Sequence, residues 1–130
     1  MIEQTELIVS EWNYSSPNES NNESEKIKSF TTLDVMKKRA STKKGIACRF
    51  SCRFVYENKT ILEYVGENSY VIDLEDKIDK NELLRMVSNA YMKFNEKFDF
   101  RKIGTVLKDV SLTPLDEDSI DVDAILPLLI

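Results

Sequence analysis

From Ile46 to Tyr56 every even position is apolar (Ile46, Cys48, Phe50, Cys52, Phe54, Tyr56), while the odd positions include Arg49, Ser51 and Arg53. That alternation predicts a strand with one buried and one wet face. Glu57-Asn58-Lys59 predicts a hairpin turn into a partner strand, Thr60 to Val65. Gly66-Glu67-Asn68-Ser69 predicts a break or bulge before Tyr70-Val71-Ile72-Asp73-Leu74 resumes extended structure. Upstream, strands are expected over about Glu6 to Tyr14, with Ile8, Trp12 and Tyr14 on one face, and around Lys28 to Met36. The polar, strand-breaking run Ser15 to Glu25 predicts a mobile loop at 15–25, and Lys37 to Gly45 a basic turn.

After Asp76 the period changes. Asp79 with Glu82 three residues on suits a helix start, because the acid accepts backbone N–H groups that otherwise lack a partner. Leu83, Val87, Tyr91, Phe94 and Phe98, with Leu84 and Ala90 alongside, form one stripe at helical spacing, which predicts a helix from Asp79 to Phe98 packed on the sheet. Gly104 marks a turn, Val106 to Leu112 is extended or loop, and Thr113-Pro114 stops it. A short helix is expected after Ser119 and before Pro127, and the closing Leu126, Leu128, Leu129 and Ile130 are expected to dock. The fold class is therefore α+β: a four-stranded antiparallel sheet packed by one long helix and a short C-terminal helix, in a single domain over 1–130.

Composition narrows the chemistry. The chain has 130 residues and no His, which removes Ser-His-Asp and Cys-His sites and every His-containing zinc site. No Gly-rich phosphate loop or nucleophile elbow occurs, so no enzyme activity and no cofactor is expected. Cys48 and Cys52, on one strand face, lie about 13 Å apart and read as small buried hydrophobes rather than a disulfide or metal pair. Asp116, Glu117, Asp118, Asp121 and Asp123 lack the glycine and terminal Glu of a calcium loop, and no metal site is expected. No apolar run approaches the ~20 residues of a membrane span. Met1 to Glu11 holds three acids and no base, unlike a signal peptide, so a cytoplasmic location with reduced thiols is expected.

Charge is sorted into blocks: −6 over residues 1–25, +8 over 26–59, −1 over 60–108 and −6 over 109–130, for a total of −5. Pairing of basic with acidic segments across neighbouring strands or subunits is one reading. The other is a basic surface for an acidic partner, centred on Lys37, Lys38, Arg39, Lys43 and Lys44. The net charge and the lack of an aromatic RNA-binding motif argue against nucleic acid.

The order of elements resembles the SecB export-chaperone family over about Glu6 to Ile125. The matching features are a first strand running into a long loop, Leu33-Asp34 in the second strand, the alternating strand and its hairpin partner, and Tyr70-Val71-Ile72 after a Gly-containing break. Beyond the long helix, Gly104, Leu112-Thr113-Pro114 and Asp123-Ala124-Ile125 are similar to the family's Gly turn, Leu-x-Pro element and terminal motif. The family's mid-helix Pro and Arg-Glu pair are absent from Asn89 to Glu96, and in Leu62-Glu63-Tyr64-Val65 the acid is out of register with the family's SecA-docking strand. Those departures argue against general secretion work with SecA and toward divergent SecB-like chaperones linked to toxin–antitoxin or phage-defence systems.

The resemblance implies an ATP-independent holdase for non-native client protein or an antitoxin. It also implies a homotetramer, a dimer of dimers, with client grooves between the sheet and the helix-side loops. Ile61, Tyr64, Tyr70, Ile72, Phe100 and Ile120 are the groove candidates, although ordinary core is the favoured reading of each taken singly. The alternative is a regulatory protein-interaction domain, antitoxin- or inhibitor-like, gripping one partner through basic segment 26–59.

Overall fold

Five strands and one long helix account for most of the described residues. The structure, a computed structural model, describes residues 3–16, 27–39 and 42–129. The strands are β1 (Glu3–Gln4), β2 (Ile8–Tyr14), β3 (Lys28–Arg39), β4 (Lys43–Tyr56) and β5 (Lys59–Asp73). They are followed by helix α1 (Lys80–Arg101), a 3-10 turn Lys102–Gly104, a second 3-10 turn Glu117–Ser119, helix α2 (Val122–Ile125) and a closing 3-10 segment Leu126–Leu129. All strand pairs are antiparallel, in the order β1-β5-β4-β3, with β2 also on β5. Because β1 pairs with the Tyr70–Val71 end of β5 and β2 with its Leu62–Glu67 end, the two lie end to end along one edge. The sheet is thus five strands in four lanes, and the fold is α+β as the sequence predicts.

The hairpin between β4 and β5 is as tight as expected. Glu57 and Asn58 both take positive φ (51° and 63°), as a two-residue turn matching the strand twist requires. The alternation in β4 also holds, since Ile46, Cys48, Phe50, Cys52, Phe54 and Tyr56 are all buried. Helix α1 begins where expected, with the Asp79 side chain accepting from the Glu82 N–H at 2.8 Å. It buries Leu83, Met86, Val87, Ala90, Tyr91, Phe94 and Phe98 against the sheet. The core is largely aromatic: Phe50 meets Tyr91 (5.2 Å) and Phe94 (5.3 Å), and Phe54 stacks on Phe98 (5.2 Å).

Four local expectations are corrected. First, no break occurs at Gly66–Ser69; β5 runs unbroken from Lys59 to Asp73. Gly66 stays in the strand because a Cβ there would lie 2.9 Å from the Phe94 ring, so the glycine marks close approach of the helix. Buried Asn68 stays because its amide is satisfied, accepting from Gln4 Nε2 (2.6 Å) and donating to the Thr5 carbonyl (2.7 Å).

Second, Ile8 does not share a face with Trp12 and Tyr14. A register shift between Val9 and Glu11 turns Ile8 out, leaving it 66% exposed, while Trp12 packs edge-on to Tyr64. Third, the first strand is two short strands, with Thr5–Leu7 between them. Fourth, Lys37–Gly45 is not all turn. β3 runs to Arg39 and β4 starts at Lys43, because Lys37↔Ile46, Lys38↔Gly45 and Arg39↔Lys44 continue the ladder. The expected loop at 15–25 lies outside the described residues except for Ser15 and Ser16, and Ile130 lies outside them too.

Candidate functional site

A groove of about 640 Å³ lies on the helix side of the sheet, between β3 and the segment that returns after α1. β3 is an edge strand, and its Ser29, Thr31 and Leu33 pair with Phe54, Cys52 and Phe50, so they face the helix side. Phe50 and Tyr91 also line it, their rings 5.2 Å apart and tilted by 59°. The opposite wall is Thr113-Pro114-Leu115-Asp116, Ser119-Ile120-Asp121 and Ile125.

This second wall is tied down from several directions. The Tyr91 hydroxyl donates to the Thr113 carbonyl, and Ser88 Oγ donates to Glu117 Oε1 at 2.8 Å. Asp116 accepts from the Asp118 N–H (3.0 Å) and Asp121 caps α2 through the Ala124 N–H (3.2 Å). Leu112 and Val122 anchor the wall in the core at either end. Local hydrogen bonds and helix contacts therefore hold the groove open with half-buried Leu33, Leu115, Ile120 and Ile125 along it.

Its electrostatics are simple. Among the described residues, Asp116 and Asp121 are its only carboxylates, and no Lys or Arg lines it. Burial pushes the Tyr91 phenol up to about 12, so it stays a hydrogen-bond donor at neutral pH. Burial also raises Cys52, against the opposing effect of the Thr31 hydroxyl (3.4 Å from Sγ), which keeps the sulfur a protonated thiol and a poor nucleophile. Such an arrangement can hold an apolar chain and offer it a few hydrogen bonds. Among the described residues, no group of three or more metal-ligating side chains comes together, and no helix is long and apolar enough to cross a membrane.

No protein-family model matches the chain, and no curated protein matches it. Among solved structures, that of a protein of unknown function from Streptococcus agalactiae is similar, with 9% identity, coverage of 89% of this chain and 97% of its own, and a TM-score of 0.48.

Of the six groove candidates from the sequence, only Ile120 lines this groove. Ile61, Tyr64, Tyr70 and Ile72 are corrected to core, each 3% exposed or less. Tyr64 and Tyr70 spend their hydroxyls on the α1 carbonyls of Phe94 and Met86, both at 2.8 Å. Phe100 is 77% exposed but borders a separate depression with Glu6, Leu7, Lys93, Glu96 and Lys97.

The basic cluster is likewise not one surface. Lys44 is buried, donating to the carbonyls of Asp76 (2.9 Å) and Leu129 (3.3 Å), so it fastens the C-terminal segment. Lys38 pairs with Glu67 at 3.1 Å and Lys43 pairs with Asp73, each reaching from the basic strands to β5. Lys37 is half-buried, and the Arg39 side chain lies outside those described. Sequence reasoning missed Leu33, Leu115 and Ile125 because each sits in a segment without clear periodicity. The one available signal was the apolar residues scattered around Thr113-Pro114 and Asp121.

Proposed function

We propose that this protein is an ATP-independent, SecB-like holdase that keeps non-native client polypeptide in the groove between β3 and residues 113–125. The observation that carries the reading is the groove itself: large, partly apolar, and lined by no basic group among the described residues. Its place between the sheet edge and the helix-side segment agrees with where the resemblance puts client grooves. The order of four antiparallel lanes, a long helix and a short C-terminal helix supports the same reading. The resemblance also carries the homotetramer, which belongs to this proposal. The regulatory alternative has less to stand on, because Lys38, Lys43 and Lys44 already have partners within the chain.

The test is suppression of aggregation of a chemically unfolded polypeptide, without ATP, at about 0.5 M salt, where exposed charge attraction is largely screened. Ile120→Glu combined with Leu115→Glu should weaken holding several-fold while circular dichroism stays unchanged, since both side chains are only half-buried. Lys43→Glu should leave holding intact. Loss of activity with Lys43→Glu and retention in the groove variant would reverse the ranking of the two readings.

A further inference from the structure

The face of the sheet turned away from α1 has its charges sorted by strand. On β1, β2 and β5 the register places Glu3, Glu11, Glu63, Glu67 and Asp73 on that face, with no base among the described residues. On β3 and β4 it places Lys28, Lys38, Lys43, Arg49 and Arg53 there, with Asp34 as the one acid. The boundary runs between β5 and β4, and the ion pairs Lys38–Glu67 and Lys43–Asp73 cross it. The outer acids, Glu3 and Glu11, are two strand spacings from the nearest basic strand, β4. That is about 10 Å, close to a Debye length at moderate salt, so attraction within the chain, such as that between Glu3 and Lys43, offsets their charge only in part.

We infer that this face is a self-association surface whose occupant is a second copy of the chain, packed sheet to sheet about a twofold axis parallel to the strands. The sorting of charge selects that axis. Rotation about it lays β3 and β4 of one copy over β5, β2 and β1 of the other, acids on bases in both directions. Rotation about an axis across the strands would lay acids on acids. Between the charges the face carries Thr32 and Ser51, over buried Ala47 and Val65, with Ile8 (66% exposed) and Phe30 (51% exposed) toward its margins. Four lanes by about twelve residues give a patch on the order of 750 Å², near the ≈ 800 Å² per partner of a stable complex. Aligned sheets about 10 Å apart bring the long Arg and Glu side chains into reach. The inference is independent of client holding, which uses the other side of the sheet.

The experiment is solution mass by light scattering across a concentration series, with two charge-reversed variants, Arg49→Glu/Arg53→Glu and Glu11→Arg/Glu63→Arg. Each all but cancels the net charge of one half of the face, so each should halve the mass relative to wild type, and an equimolar mixture should restore it. Wild-type association should weaken at high salt. Either variant keeping the wild-type mass, a wild type that stays monomeric throughout, or a mixture that fails to reassociate overturns the proposal. Should circular dichroism show a double variant to be unfolded, the single changes Arg49→Glu and Glu11→Arg carry the same comparison, each at an exposed position.

Discussion

The hydroxyl of Tyr64 donates to the Phe94 carbonyl at 2.8 Å while the two rings stack, with centroids 4.1 Å apart and planes 6° from parallel. One residue of β5 is thus joined to one residue of α1 both by ring contact and by a hydrogen bond, which fixes how far along the sheet the helix sits. Burial holds the phenol's pKa well above its usual range, so the donor persists across physiological pH. Tyr64→Phe keeps the ring and removes only the donor, and should cost about 1–2 kcal/mol in urea unfolding. Tyr64→Ala also opens a cavity beside Trp12 and Phe98, and should cost about 3–5 kcal/mol.

Gly66 gives a sharper test of helix–sheet distance. A Cβ there would stand 2.9 Å and 3.2 Å from two atoms of the Phe94 ring, which has no flexible end to swing aside. Gly66→Ala should therefore destabilise by about 1–3 kcal/mol, despite alanine's lower backbone entropy cost. Gly45→Ala is the control, since its nearest neighbours are at 3.7 Å, and thermal melting should show little change or a small gain. Adding Phe94→Leu to Gly66→Ala should recover part of the loss if the ring is the obstacle.

Lys44 should behave as a structural fastener. Lys44→Met keeps the apolar stem and removes the ammonium donor to Asp76 and Leu129. Hydrogen exchange should then quicken at Leu126–Leu129 while α1 stays protected, with an overall cost of about 1–3 kcal/mol. Equal acceleration throughout the chain would show that the C-terminal segment is not held separately by this lysine.

The cysteines predict an alkaline limit. Burial raises Cys48 from 9.0 to about 12, and the nearby Glu67 adds to it. In the unfolded chain the thiol ionises near its ordinary value, while in the folded chain it stays protonated. Between about pH 9 and pH 12 the unfolded state therefore binds fewer protons, and stability falls as pH rises through that window. Cys48→Ala should flatten this part of the stability curve, and an alkylating reagent at pH 8 should label neither thiol until the protein opens.

The chain's periodicities determined a good deal by themselves. Alternation from Ile46 to Tyr56 and the stripe Leu83–Val87–Tyr91–Phe94–Phe98 each report a face that must leave water, and those residues are buried. Asp79 and the Glu57-Asn58 turn act through their own neighbours along the chain, so they too were legible. Tertiary structure decided the rest, because each remaining feature depends on a distant partner. The face of Ile8 follows from a bulge against β5, and the continuity of β5 at Gly66 from the ring of Phe94. The loss of Ile61, Tyr64, Tyr70 and Ile72 from the groove has the same origin. An apolar face looks the same in sequence whether a helix or a client covers it, and here α1 does. The groove that remains joins β3 to residues 113–125, far apart in the chain and neither strongly periodic, so only folding brings its walls together.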